Sequence, residues 1–438
     1  MSMLTDLLNK EGFGLESDDF EEPKKKDDVE IREIDTKDEV PQAGFIDEEE
    51  ATLVAESDQI REDGDKAERA MASLESLYSA LNEAMEEGGL SAQGARMATL
   101  FADQYVRETG SESPVASVEA FGGSSSRFNA TRISMEGVGD AIKKGWAAFI
   151  ELMKKLGRFI MESTQRITFA AQRIESGAKK LFEVARKTKE TKGKVDIGGN
   201  RLLFVEGKFD ANGGTTVAAA AKLVYDAYPK AVKAYLDAAG NAVNSVKSEA
   251  DLESFKKSLS NTSYFVRLGT KVAKAPFSVG DNATVYTSRP LPGNMAMYIV
   301  ETPGDFGKSV GIHLEKSSEA AKIPESYEVS ARAPSEIANE LSKVILAART
   351  VINGVSIAKG TSVSIDRISD ILGKVEEANV QSKARKLVES MRGLVGKQYT
   401  GTRLYLIRAM SAQVKLAARE LKAEGANADE QHRLGNDK

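Results

Sequence analysis

The sequence predicts an α+β fold that is mostly α-helical, and three observations support this prediction. Apolar residues recur at helical spacing over residues 142–185, strand-like alternation is concentrated in residues 284–332, and helical patterns follow up to residue 423. We therefore expect a long heptad-patterned helix, a small antiparallel β-rich region and a C-terminal helical bundle. An acidic, partly disordered N-terminal segment is expected to precede them.

The longest pattern predicts one extended helix with a continuous apolar stripe. Its members alternate in steps of three and four residues: Ile142, Trp146, Phe149, Met153, Leu156, Ile160, Thr164, Ile167, Ala171, Ile174, Ala178, Leu181 and Ala185. Such a stripe is typical of a coiled coil or an extended helix hairpin, and it offers a seam for a homo-oligomer. Gly145, Gly157 and Gly177 are candidate bends, each costing roughly 1 kcal/mol of helix stability.

Shorter patterns predict the remaining elements. Helices are expected over residues 66–87, 91–107, 216–246, 252–259, 334–353, 365–378, 382–393 and 402–423, and strands over 201–209, 284–287, 295–301, 309–315 and 327–332. Residues 16–68 and the tail 425–438 hold few apolar residues and are expected to be disordered. The expected segments are 1–136, 137–192, 193–332, 333–424 and 425–438.

The charge of the chain changes sign near residue 136. Residues 1–136 carry 33 Asp/Glu and 13 Lys/Arg, whereas residues 137–438 carry 33 Asp/Glu and 47 Lys/Arg. The basic excess is concentrated in residues 137–192 and 383–422, which are both predicted to be helical. This division predicts two parts with different partners, or one part that masks or delivers the other.

The two basic segments are candidate nucleic-acid-binding surfaces, because neutralisation of phosphates by Lys and Arg drives sequence-independent binding. The candidates are Lys143, Lys144, Lys154, Lys155, Arg158, Lys179, Lys180, Arg408, Lys415, Arg419 and Lys422. An anionic membrane surface is the competing target, since Trp146, Phe149 and Phe159 lie on the same basic amphipathic helix. A basic face that is merely solvated is the third interpretation.

The sequence predicts no metal site, no cofactor and no assembled active site. Residues 304–309 end in Gly-Lys-Ser, but a strand pattern follows, so a hairpin turn is favoured over a phosphate-binding loop. Gly213-Gly214-Thr215-Thr216 precedes a helix, where a helix cap is favoured over an anion site. The chain has no cysteine and only two histidines, His313 and His432. We therefore expect a protein that is not an enzyme, without a signal peptide or a membrane span.

Four short motifs that end in glutamate lie on the acidic side of the charge change. They are Gly14-Leu15-Glu16, Ser73-Leu74-Glu75, Ser117-Val118-Glu119 and Ser134-Met135-Glu136, and a small residue follows each of them. This segment resembles the propeptides of head proteins in giant tailed phages of the phiKZ kind, whose prohead maturation protease cuts after Ser/Ala/Gly-x-Glu. The resemblance covers roughly the first 136 residues and the general makeup of the remainder.

The resemblance implies an internal or structural head protein that is cut by the prohead protease during capsid assembly. It would be made in the host cytoplasm and packaged in the capsid interior, with other head proteins and phage DNA as partners. Removal of an acidic propeptide would then expose a basic body to non-specific, electrostatic contact with DNA, and the protein could be ejected with the genome.

We expect cleavage after Glu136 or Glu119, because both border a Gly/Ser-rich linker around residues 122–126. Glu136 is favoured since Gly137 directly precedes the expected long helix, whereas Glu75 lies inside an expected helix. Two alternatives to the head protein stay open. One is a co-injected effector or enzyme with its chemistry in residues 193–382, and the other is a coiled-coil scaffold associated with membrane.

Overall fold

The structure is a computed structural model that describes residues 43–109, 127–191, 193–197, 200–243, 265, 268–304, 307–317, 322–323, 326–375 and 397–435. The helices are α1 (Ala43–Glu86), α2 (Ala92–Glu108), α3 (Arg127–Lys187), α4 (Gly213–Lys222), α5 (Tyr228–Val243), α6 (Pro334–Leu372) and α7 (Lys397–Gly435). The strands are β1 (Lys194–Asp196), β2 (Phe204–Val205), β3 (Lys208–Phe209), β4 (Thr270–Val272), β5 (Thr284–Thr287), β6 (Met295–Gly304), β7 (Gly307–Lys316) and β8 (Glu328–Ser330). The predicted α+β, mostly α-helical fold class is confirmed.

Helix α3 is the central helix of the fold, and it contains the predicted stripe. Every stripe residue from Ile142 to Ala185 is buried. Helix α3 packs against α1, α2, α6 and α7 of the same chain. Within the described residues, the seam that the sequence offered to a second copy is buried in the single chain. The helix begins at Arg127, upstream of the charge change at residue 136.

Two glycines of α3 that lie beside the stripe allow close helix packing. A Cβ atom at Gly145 would lie 2.4 Å from the Sδ atom of Met71 on α1, and one at Gly157 would lie 3.3 Å from the Oγ atom of Ser362 on α6. Glycine lets neighbouring helices approach α3 at these points, where a larger side chain would separate them.

Helix α1 is longer than predicted. The sequence placed its start near residue 66 and predicted disorder upstream, but residues 43–68 are helical, so that prediction was wrong for them. The buried residues Leu53 and Ile60 extend its apolar face toward the N-terminus. Gly88 and Gly89, with φ angles of 100° and 90°, end the helix as predicted. Helix α2 was predicted over residues 91–107 and spans Ala92–Glu108, with Ser91 as its N-cap accepting a hydrogen bond from the amide of Gly94.

The mixed region holds short strands around an antiparallel sheet. Strands β4, β5, β6 and β7 are neighbours in that order, and β1 pairs with β8. Gly304 pairs with Gly307 at the end of the β6–β7 ladder, so these two strands form the hairpin that the sequence favoured. The helix predicted over residues 216–246 is interrupted by a π-helical turn at Leu223–Ala227, just before Pro229. The helices predicted over 252–259 and 382–393 lie outside the described residues.

The C-terminal helices are longer than predicted. The patterns at 334–353 and 365–378 are one helix, α6, and the buried residues Gly354, Ala358 and Thr361 continue its packed face through the segment between them. By length and composition, α6 is the one described helix that could cross a membrane, a property shared with core helices. It packs on α3, α4, α5 and α7. Helix α7 includes residues 425–435, which were wrongly predicted to be disordered.

Candidate nucleic-acid interface and cleavage sites

The basic candidates on α3 lie on one side of the helix, opposite the buried stripe. At about 100° per residue, Lys143, Lys144, Lys154, Lys155, Arg158, Lys179 and Lys180 fall within a sector of about 120°. We call this sector the basic stripe. Lys144 and Lys154 are half-buried, and the other five are exposed. The amphipathic pattern therefore forces the charges outward, because the apolar stripe occupies the opposite face.

Helices α1 and α3 carry opposite charge and run antiparallel to each other. Helix α1 contains 13 Asp/Glu and 3 Lys/Arg, whereas α3 contains 13 Lys/Arg and 6 Asp/Glu. Two ion pairs join them: Lys155 lies 2.9 Å from Asp63, and Arg166 lies 3.2 Å from Glu56. The acidic part of the sequence thus covers one flank of the basic stripe. Sequence analysis missed Arg166, although its helical phase places it next to the stripe.

Asp63 is held in its charged form by this contact. Burial alone would raise the pKa of Asp63, but hydrogen bonds from Lys155 and Gln59 lower it overall. The carboxylate is a third exposed, so the pair is only partly shielded from water. Solvent and salt therefore weaken it, and polyanions in solution can compete for the Lys155 ammonium group.

The opposite flank of the basic stripe contacts α6. Lys154 lies 3.2 Å from Asp370, and Glu175 accepts hydrogen bonds from Arg349 on α6 and pairs with Lys179 on its own helix. Burial alone would raise the pKa of Glu175, but the hydrogen bonds from Arg349 and Lys179 lower it overall. Acidic neighbours on both flanks thus reduce the charge that the stripe presents to a ligand.

The basic candidates on α7 form a smaller surface. Lys415 and Arg419 are exposed, and Arg408 is half-buried. Arg419 donates a hydrogen bond of 3.1 Å to the carbonyl oxygen of Asp196. The side chain of Lys422 lies outside the described residues. Most of α7 between residues 399 and 420 is buried, so its basic residues form a narrow exposed strip.

A buried arginine on α7 was not found by the sequence analysis. Arg403 is 3% exposed and donates hydrogen bonds to the hydroxyls of Thr164 and Ser163 on α3, at 2.7 and 2.8 Å. Its guanidinium also lies 4.9 Å from the ring centre of Tyr399, a cation–π contact. The two hydrogen bonds join α7 to α3. Burial raises the pKa of Tyr399 to about 12. Only its spacing from Tyr399 by one helical turn was visible in the sequence.

Two positions that the sequence analysis weighed for small-molecule chemistry contact other residues of the protein. The amide of Thr215 at the start of α4 donates to the carboxylate of Glu340 at 3.1 Å, so a carboxylate of α6 lies where the disfavoured alternative would have placed an anion. His313 is half-buried and stacks on Phe277, with 4.4 Å between ring centres. Burial lowers the pKa of His313 overall, although the Glu315 carboxylate acts in the opposite direction. Among the described residues, no group of three His, Asp or Glu side chains is placed to bind a metal.

Two of the four glutamate motifs are held inside helices. Glu75 lies in α1, where the preceding Leu74 is fully buried. Glu136 lies within α3 rather than beside a linker, so the structural reason for favouring it was wrong. Its neighbours Ser134 and Gly137 are buried. Glu16 and Glu119 lie outside the described residues, the latter in the connection between α2 and α3.

The described residues thus form a helical body with a basic stripe on one side of its central helix. Residues 45–419 match the family of phiKZ-like phage internal head proteins, so the chain belongs to that family. No curated protein and no solved structure matches the chain. Membership implies a place in the capsid interior of the virion and favours a structural over an enzymatic role. The match includes nearly all of the acidic helix α1 and the whole of α2, so both helices lie within the region that the family shares.

Proposed function

We propose that this internal head protein contacts the packaged genome through the basic stripe of α3 and is processed by the prohead protease during head assembly. The proposal rests on the position of the basic stripe on one side of α3, opposite the buried stripe. A lysine or arginine on an exposed helix face can reach backbone phosphates without any base contact, so binding would be independent of DNA sequence. Ejection with the genome would extend this role.

The acidic helix α1 would moderate this contact. Asp63 and Glu56 pair with Lys155 and Arg166, and a DNA phosphate competes for the same cationic groups. The intact chain is therefore expected to bind DNA through the remainder of the stripe, more weakly than the net charge of residues 137–438 suggests.

Processing is expected after Glu119. A protease cleft binds several residues in extended conformation, and both Glu75 and Glu136 would first have to leave helices that are packed in the core. Glu119 lies between the end of α2 at Glu108 and the start of α3 at Arg127. Cleavage there breaks the connection without cutting a described helix.

The DNA-binding proposal is tested with full-length protein and a fluorescent duplex at several salt concentrations. The double variants Lys143→Gln/Lys144→Gln and Lys179→Gln/Lys180→Gln should each weaken binding and reduce the salt slope by about 1 to 2. Lys222→Gln/Lys230→Gln, which changes two exposed lysines on α4 and α5, is the matched control. Equal losses in all three would contradict a stripe-specific contact. Binding to anionic vesicles without binding to DNA would favour the membrane alternative.

A further inference from the structure

We infer that cleavage after Glu119 leaves α1 and α2 bound to the rest of the fold, so that the mature protein is a non-covalent complex of two chains. This inference rests on the cut proposed above. It assigns α3 a second role as the docking surface of the cleaved N-terminal helix pair, which we define as α1 and α2. The helix pair would thus remain a subunit rather than be released as a propeptide.

The helix pair is part of the main hydrophobic core. Its buried apolar residues that join this core are Leu53, Ile60, Ala67, Met71, Leu74, Leu81, Ala98, Ala102 and Val106. Met71 and Leu74 pack over Gly145 of α3, where the missing side chain leaves room for both. Release of the pair would return this apolar surface, and the α3 surface beneath it, to water.

Buried polar contacts also join the helix pair to α3. Ser134 donates a hydrogen bond to the carbonyl oxygen of Ala95, and its hydroxyl lies 3.0 Å from that of Thr99. The amide of Leu90 donates to the Thr131 hydroxyl at 2.6 Å. Separation would leave these groups to be rehydrated, and it would break the two ion pairs of α1 with α3.

Cleavage of the α2–α3 connection removes none of these contacts. It removes only the tether, which held the helix pair near α3 at a high effective concentration. The buried interface remains, so the cut chains are expected to stay associated while becoming able to exchange. Lys155 and Arg166 would stay paired with α1, and the rest of the basic stripe would be the surface that remains for DNA.

The test replaces residues 117–120 of the full-length protein with a site for a sequence-specific protease. After complete cutting, two chains should appear on a denaturing gel, while size-exclusion chromatography with light scattering at micromolar concentration should still give the mass measured for the uncut protein. Separate elution of the N-terminal fragment from the cut, otherwise unchanged protein would overturn the inference.

Two variants report which contacts hold the pair. Met71 is buried in the interface, so Met71→Asp should cause the cut chains to separate. Met97 on α2 is 46% exposed, so Met97→Asp should leave them associated. Circular dichroism of the uncut variants checks that each one folds. If Met71→Asp does not fold, the milder Met71→Ala should make the cut chains separate at a lower urea concentration than Met97→Ala does. Equal urea concentrations would overturn the assignment of this interface.

This result is independent of the natural protease and of DNA. If the natural protein is never cut after Glu119, the processing proposal fails, but association of the engineered fragments can still be observed. If the natural cut occurs and the engineered fragments separate, the inference fails while the processing proposal stands.

Discussion

Lys155 on α3 donates a hydrogen bond of 2.9 Å to Asp63 on α1, a residue 92 positions earlier in the chain. The acidic and basic parts of the sequence are therefore in direct contact in the fold. A partly exposed pair of this kind contributes roughly 0.2 to 1 kcal/mol, so its main effect is on the field around the stripe rather than on stability.

Neutralising the α1 carboxylates should strengthen DNA binding. In the double variant Glu56→Gln/Asp63→Asn, Lys155 and Arg166 lose their partners and become available to phosphate, so affinity at low salt should rise several-fold and the salt slope should steepen by about 1 to 2. Fluorescence anisotropy of full-length protein measures both quantities. The control is Glu62→Gln, whose carboxylate pairs with Lys66 on the same helix. An equal gain in the control would argue for a general charge effect.

Acid should weaken the contact of α1 with α3. The pKa of Asp63 is lower in the fold than its ordinary value, so its stabilising contribution is present above the ordinary pKa of aspartate. The contribution is lost as the pH falls through the folded-state pKa and the carboxylate takes up a proton. The free energy of unfolding, measured with urea across the acidic pH range, should therefore fall less with pH for Asp63→Asn than for the unchanged protein. Parallel declines would mean that this carboxylate is not coupled to folding.

A charge placed in the buried stripe should destabilise the protein strongly. Ile167 is 2% exposed, so Ile167→Asp should cost about 2 to 5 kcal/mol through desolvation of an unpaired carboxylate. Phe169 lies two residues further along α3 and is 65% exposed, so Phe169→Asp should change stability by only about 0.5 kcal/mol. Urea denaturation measures both free energies of unfolding. Similar values would mean that the stripe is not the packed face of α3.

Gly214 is expected to tolerate no side chain. A Cβ atom there would lie 2.4 Å from the backbone oxygen of Glu340, so Gly214→Ala should cost about 1 to 3 kcal/mol by forcing α4 and α6 apart. A Cβ atom at Gly401 in α7 would meet nothing within 4 Å, so Gly401→Ala should stabilise the helix by up to about 1 kcal/mol. Thermal melting distinguishes the two signs, and a stabilising Gly214→Ala would contradict the packing of α4 on α6.

The sequence predicted the elements that depend on local periodicity. The α3 stripe was identified completely because each of its members contributes to one uninterrupted pattern. The start of α1 was missed because the many acidic residues before Lys66 obscured the apolar positions at Leu53 and Ile60, which are buried only by contact with other helices. Helix α6 was divided in two because its small polar residues reduce local hydrophobicity although they pack closely.

Contacts between distant residues could not be predicted from the sequence. The hydrogen bonds from Arg403 to Ser163 and Thr164 join positions 239 and 240 residues apart, and no local pattern indicates them. For the same reason the surroundings of Glu136 were misjudged. The motif was visible, but the extension of α3 back to Arg127 depends on packing against α2.

Mass spectrometry of the protein isolated from its phage particles tests the central claim most directly. The account predicts an N-terminus at Ala120, together with peptides from α1 and α2 in molar amounts equal to those from α7. An intact chain, a terminus at Gly137, or particles that contain α7 peptides without those of α1 would contradict it.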